Sequence, residues 1–358
     1  MEEKSIKKNY LFSFTKLNKY FIFPFLSPIF CFLANLFLGL IRQDKGIKSI
    51  EFLFSITVSS TYTFGGLLYF ISWIRTKTEQ TRENAIMYRE RSFSSIKYIY
   101  NDGSKKNKVK IFLILLIMSI LVSISTVSSF MIHDKHVLEQ RMYFLFFISL
   151  FSKIILKLNI FSHQILSLFI AFLGLILLLI PIFLVFEKDD IIPNLRVFLT
   201  SIGFSFFLVL CKFLTHNFYI SPYLCILFVG IISTMIIFIG FVIYSLIKFH
   251  NFKYIIDAFD FSDIEKKGVI LGFFIASFLF ASMLQILAIL VIYYFSPTLF
   301  IVTDIISPLL SWIVVCIQNG EKRINIVFNI LGYFIVFFSS LIYNKIIFMV
   351  LTKIQKSV

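Results

Sequence analysis

The sequence predicts an all-α polytopic membrane protein with ten transmembrane helices arranged as two inverted five-helix repeats. Hydrophobic residues fill 59% of the 358 positions, with 48 Phe and a mean hydropathy of +0.91. A soluble domain of this length has no core large enough to hide that much apolar surface, whereas helices bathed in lipid need not hide it. The apolar residues gather in ten runs near the ~20 residues that cross ~30 Å of hydrocarbon. The closing pairs of runs in the two halves also echo each other.

Residues 1–19 form a short basic tail carrying Lys4, Lys7, Lys8, Lys16 and Lys19. The first span, 20–41, has Pro24 and Pro28 one turn apart. That spacing marks a bent or locally opened helix, tolerated where a neighbour satisfies the freed carbonyl. Span two, 50–74, is rich in Ser and Thr and carries Gly65-Gly66, small residues that let helices approach and hydrogen-bond. The long polar stretch 75–110 holds ten Lys/Arg against four Asp/Glu and reads as a disordered or surface-lying cytoplasmic loop. Eight further runs follow at 111–132, 138–157, 163–186, 197–215, 222–247, 268–293, 297–317 and 325–350. The first repeat therefore covers 20–187, the second 196–351, and a C-tail covers 352–358. Ser221-Pro222 and Ser296-Pro297 read as helix N-caps followed by proline at the first helical position. Gly268 and Gly272 have the spacing of a helix-contact motif.

The net charge of +15 fits basic loops that hold topology and face anionic lipid; no nucleic-acid partner is expected. An even number of spans puts both termini on one side, and the basic N-tail and long loop place that side in the cytoplasm. No small-residue cleavage pattern follows the first run, so it reads as a span and not a signal peptide. Cys31, Cys211, Cys225 and Cys316 show no CxxC or Cys/His spacing, which points to neither a metal site nor a disulfide framework. The residue four from the end is Gln355, so Lys356 forms no dilysine retrieval signal. An endomembrane (ER or Golgi) and the plasma membrane both stay open as locations.

Ile148-Ser149-Leu150-Phe151-Ser152 is matched by Ile306-Ser307-Pro308-Leu309-Leu310-Ser311, and 25 residues separate Ser149 from Gly174 as they separate Ser307 from Gly332. With five spans per half, the second copy enters the membrane upside down, an arrangement that places a shared cavity at the midplane. Ser296-Pro297, Asp304, Ser307-Pro308, Gly332 and Tyr343-Asn344 together resemble the final span pair of the drug/metabolite transporter superfamily, in the branch of nucleotide-sugar transporters and their orphan relatives. The resemblance implies a secondary transporter or exchanger of a small polar metabolite, nucleotide sugars among the possibilities. Lys345 departs from the acidic residue that often follows Tyr-Asn in the orphan relatives, and the lysine motif of some nucleotide-sugar carriers has no copy here. The substrate implied is thereby weakened, the fold not.

Asp304 is the first functional candidate. A carboxylate within an apolar run costs at least ~2.5–3.5 kcal/mol to insert, so it faces protein or water. Thr303, Ser307 and Pro308 stand beside it, and Pro308 removes an intrahelical hydrogen bond. Lys153, deep in span four, is a candidate partner for Asp304 or for an anionic substrate. Lys212, nearer a span end, suits snorkelling to the interface. His163 and His216 read as interfacial.

No phosphate loop, HExxH or acidic pair within a span occurs, so neither enzymatic chemistry nor a cofactor is expected. Rival classes are a seven-span chemosensory-type receptor, which would require three of the ten runs to fail and the termini to lie on opposite sides, and a lipid-modifying enzyme, for which no His, Asp or Cys pair stands near an interface. The partners expected are a small-molecule solute and the lipid bilayer, with monomer and homodimer equally open.

Overall fold

The computed structural model describes residues 23–42, 50–78, 105–130, 137–157, 162–184, 191–218, 220–258, 267–294, 296–304, 307, 310, 313–314 and 323–343. Every element among them is helical: α1 (Phe23–Arg42), α2 (Ile50–Thr78), α3 (Lys105–Phe130), α4 (Val137–Ile155), α5 (Ser162–Leu184), α6 (Ile191–Asn217), α7 (Pro222–Phe249), α8 (Lys253–Ala258), α9 (Lys267–Tyr294), α10 (Pro297–Asp304) and α11 (Arg323–Tyr343).

A helix occupies each of the ten apolar runs, and α8 is an additional short one. Four stretches are long and apolar enough to cross a membrane: Lys108–Ser128 in α3, Leu195–Asn217 in α6, Pro222–Phe249, which is α7, and Gly268–Tyr294 in α9. Shorter apolar stretches lie in α1, α4, α5 and α11. The four long helices fit a membrane protein. So does the outer surface, where Phe112, Ile154, Phe169, Met235, Ile247 and Phe334 are all exposed, since lipid tails solvate such side chains. The stretch 75–110, expected to be a loop, is helical at both ends: α2 runs on to Thr78 and α3 starts at Lys105, and 79–104 lie outside the described residues. Helix needs no apolar surface to continue past the hydrocarbon edge, where long basic side chains reach the headgroups.

The core gathers between α2, α3, α4, α6, α7 and α9, with Met118, Leu145, Phe207, Leu214 and Val291 buried. Around it the helices pair α2 with α7, α1 with α9, α5 with α11, α4 with α6 and α3 with both α6 and α7. Small residues set the tightest crossings. A Cβ on Gly66 would lie 2.5 Å from Leu227 Cα, and one on Gly230 would strike the Thr63 backbone. At the α5–α11 crossing, a Cβ on Gly174 would stand 2.7 Å from Val336 and 3.1 Å from the Gly332 carbonyl, while one on Gly332 would strike Leu178. Gly268 and Gly272 are exposed with open space around them, so their spacing makes no helix contact.

Buried polar side chains among the described residues are Ser and Thr, with Asp304 the one carboxylate. Many hydroxyls donate to the carbonyl a turn back, as Thr57 does to Leu53 (2.6 Å), Ser119 to Leu115 (2.7 Å) and Ser201 to Val197 (2.7 Å), which satisfies them without a partner helix. Others cross between helices. Ser59 Oγ lies 2.9 Å from Ser233 Oγ and 2.8 Å from Thr234 Oγ1, and Ser277 donates to the Ala34 carbonyl at 3.2 Å. Ser167 and Ser339 each donate to the other's carbonyl at 2.7 Å. In α1, Pro28 has no N–H to offer the carbonyl of Pro24, and the hydroxyl of Ser27 donates to that carbonyl instead, at 3.2 Å. The proline pair opens α1 by one bond, and its own neighbour fills the gap.

At one end of the α2–α7 pair, α7 closes on His250 in the left-handed region (φ 55°), whose N–H donates to Leu246. The chain then turns into α8, which packs on α7 and α2. Tyr254 stacks against Phe249, meets Tyr244 edge-on and donates its hydroxyl to Glu51 Oε2 at 3.1 Å. Removing that hydroxyl in Tyr254→Phe leaves the ring contacts intact. The expected loss is about 1 kcal/mol, the worth of one charge-assisted hydrogen bond half open to water; a melt matching that of the parent protein would contradict it.

Candidate functional site

α10 carries the acidic candidate and is set by its first residues. Ser296 Oγ accepts the Leu299 N–H at 3.1 Å, and Pro297 takes the first helical position, so this cap works as expected. At α7 the proline is in place but the Ser221 hydroxyl makes no cap bond; the helix starts on the Cys225 N–H to Ser221 carbonyl bond of 3.0 Å. α10 then packs against α1, α4, α6, α9 and α11. Enclosed on so many sides, Asp304 is 1% exposed and Ser307 fully buried. Thr303, also buried, turns its hydroxyl back onto the carbonyls of Phe300 (2.9 Å) and Leu299 (3.1 Å), which engages its donor within its own helix. Pro308 lies outside the described residues.

Facing this helix, α4 presents buried Ser149 and Ser152. Ser149 donates to the Tyr343 hydroxyl at 3.3 Å, tying α4 to α11. Lys153 belongs to the other side of α4, the exposed face shared with Phe146, Leu150 and Ile154. The fold thus brings Asp304, Ser307 and Thr303 together and leaves Lys153 outside them. An α4 lysine one turn from the helix end reaches the interface by stretching outward.

A second feature is a narrow central cleft between α2, α6, α7 and α9, with room for about one water molecule. Phe204, Phe207 and Tyr62 give it aromatic walls, and Gln285 supplies an amide. Leu208 and Cys211 of α6 and Ile289 and Ile292 of α9 also line it. Outside the cleft lining, Lys212, half-buried, donates from Nζ to the Tyr293 carbonyl at 2.8 Å, where the last turn of α9 has carbonyls without intrahelical partners. The packing leaves Lys153 exposed and Lys212 half-buried. Gln285 was not singled out from the sequence, although a lone amide in an apolar run is a signal that could have found it; Phe204, Phe207 and Tyr62 carry no signal that separates them from lipid-facing aromatics. Comparison with protein-family models and with curated proteins found no match for this chain.

Proposed function

We propose that the chain is a secondary transporter or exchanger of a small polar solute, working by alternating access between two inverted five-helix halves. The observation that carries this reading is an exchange symmetry in most of its helix contacts; α6·α7, α6·α9, α6·α10 and α9·α10 lack a counterpart of like strength in the first half. Taking α1–α5 as one half and α6, α7, α9, α10 and α11 as the other, α2 packs on its counterpart α7, α4 on α10 and α5 on α11. The pair α1·α9 is matched by α6·α3, α2·α9 by α7·α3, α4·α6 by α10·α1, and α4·α5 by α10·α11. The match extends to residues. Gly66 meets Leu227 as Gly230 meets Thr63, and Gly174 meets Val336 as Gly332 meets Leu178. These reciprocal glycine pairs support an inverted repeat, and carriers built that way place their site at the repeat interface.

In this reading Asp304, with Ser307 beside it, takes and releases a proton, a cation or a polar group of the solute as α10 shifts between arrangements. The N-tail, the polar stretch 75–110 and the C-tail face the cytoplasm, with the bundle in an endomembrane or the plasma membrane. The deciding experiment puts a small tag at each terminus and reads protease protection in sealed vesicles. Both tags on the cytoplasmic side are expected. Tags on opposite faces would overturn the even-span inverted repeat and favour a seven-span receptor.

A further inference from the structure

We propose that the corner where α7 turns into α8 binds a phospholipid, with Lys248 and Tyr244 taking the phosphodiester of its headgroup. The proposal goes beyond the transporter reading and rests on α7 crossing a membrane. At 28 residues and ~1.5 Å per residue, α7 is about 42 Å long. That is about 12 Å more than the ~30 Å of hydrocarbon a span has to cross. Its last turns carry Tyr244, Lys248 and Phe249, aromatic and basic residues that settle at the headgroup level, so the corner stands there.

The lysine is held in one place. Lys248 Nζ donates to the Tyr244 hydroxyl at 2.8 Å and stands 5.3 Å and 5.5 Å from the ring centroids of Tyr244 and Phe249, whose faces attract the ammonium. Those rings are fixed in turn. Phe249 stacks on Tyr254, and Tyr254 stacks on Phe241 and meets Tyr244 edge-on. Lys248 is exposed and, among the described residues, pairs with no carboxylate; Glu51, in the same corner, accepts from Tyr254 instead. The ammonium keeps two of its three N–H donors, and Tyr244, which accepts from it, keeps its own O–H to donate. With the two groups 2.8 Å apart, neighbouring oxygens of one phosphate can take a bond from each. One ammonium matches the single charge of a phosphodiester, and charge-assisted bonds are about twice as strong as neutral ones.

The same corner exposes apolar surface, which marks the occupant as a lipid and not a free anion. Ile247 precedes the lysine, and Phe252 and Ile256 lie one helical turn apart; all three are exposed. At the boundary between headgroups and acyl chains, such side chains are covered by the chains.

The test titrates the full chain, purified in detergent, with dioleoylphosphatidylglycerol and with dioleoylglycerol, which has the same acyl chains and no phosphate. Native mass spectrometry reads the affinity of the first lipid bound. Phosphatidylglycerol is expected to bind about ten-fold or more tightly, the worth of charge-assisted bonds to one phosphate. Lys248→Gln should erase the difference and Lys248→Arg retain it. Tyr244→Phe keeps the ring and removes the hydroxyl, and should weaken phosphatidylglycerol about five-fold, the loss of one hydrogen bond. It reports on the site even where Lys248→Gln fails to fold. Lys110→Gln, at an exposed lysine of α3, should change nothing. Equal affinity for the two probes, a preference that survives Lys248→Gln, an equal loss in Lys110→Gln, or displacement of the lipid by inorganic phosphate overturns the proposal. Each of those results leaves the transporter reading to be decided by the terminal tags.

Discussion

Gly230→Val is expected to abolish assembly of the bundle. The α2–α7 crossing has no slack: at Gly230 a Cβ would stand 2.6 Å from the Thr63 hydroxyl and 2.8 Å from Thr63 Cα, closer still to its backbone nitrogen. The obstacle is main chain in the middle of a helix, which cannot swing aside as a side-chain tip can. Only separation of the two helices relieves it. That separation would break the Ser59 bonds to Ser233 and Thr234, which lie about one turn along the same crossing. Overpacking a dense interior costs about 1–3 kcal/mol where side chains can adjust; here the cost is expected at or above ~3 kcal/mol because backbone must move. Size-exclusion profile and thermal melt in detergent report it. Gly240→Val is the control, since a Cβ there meets nothing within 4 Å. If Gly230→Val migrates and melts like the parent protein, the close α2–α7 crossing is wrong, and the contact symmetry loses its strongest residue pair.

Asp304→Asn is expected to reduce solute uptake to background while leaving the protein folded. The substitution keeps shape and most hydrogen-bonding capacity and removes the ability to carry a charge. A carboxylate that is 1% exposed in an apolar bundle has no solvation reason to be acidic, and one that serves only to link helices is replaced by an amide at a cost of about 1 kcal/mol. Uptake is read in sealed vesicles given an isotope-labelled metabolite extract, with mass spectrometry of the lumen. Full uptake in Asp304→Asn would remove Asp304 from the transport step. An unfolded Asp304→Asn with loss of uptake would assign it a structural role. Ser307→Ala separates the cases further: its missing hydroxyl reduces uptake only if the solute or ion uses that side chain.

The helical positions were legible because a helix in an apolar setting leaves a mark that needs no partner: long runs of apolar residues, four of which are long and apolar enough to cross a membrane. The caps were half legible. Ser296 and Ser221 have the same sequence signature, yet only the Ser296 hydroxyl accepts a backbone N–H of the first turn, because a hydroxyl rotor is set by surroundings that the dipeptide does not encode. Gly268 and Gly272 illustrate the same limit, having the spacing of a contact motif and nothing beside them. The serines of α2 announced close packing, and Ser59 makes it, through α7.

From the sequence alone came the helical class, the placement of every apolar helix, the opened first helix and the singular position of Asp304. Each of these follows from local composition, since a helix satisfies its own backbone and a carboxylate in an apolar run is costly wherever it points. Only the tertiary structure decided which lysine turns inward, which glycines meet and which aromatics wall the cleft. Lys153 and Lys212 look alike in sequence, each a basic residue in an apolar run. The rotation of α4 sends Lys153 outward, and the packing of α6 on α9 holds Lys212 against the Tyr293 carbonyl. Which face of a helix is inside depends on its neighbours, and lipid, as apolar as the core, does not write that choice into hydrophobicity.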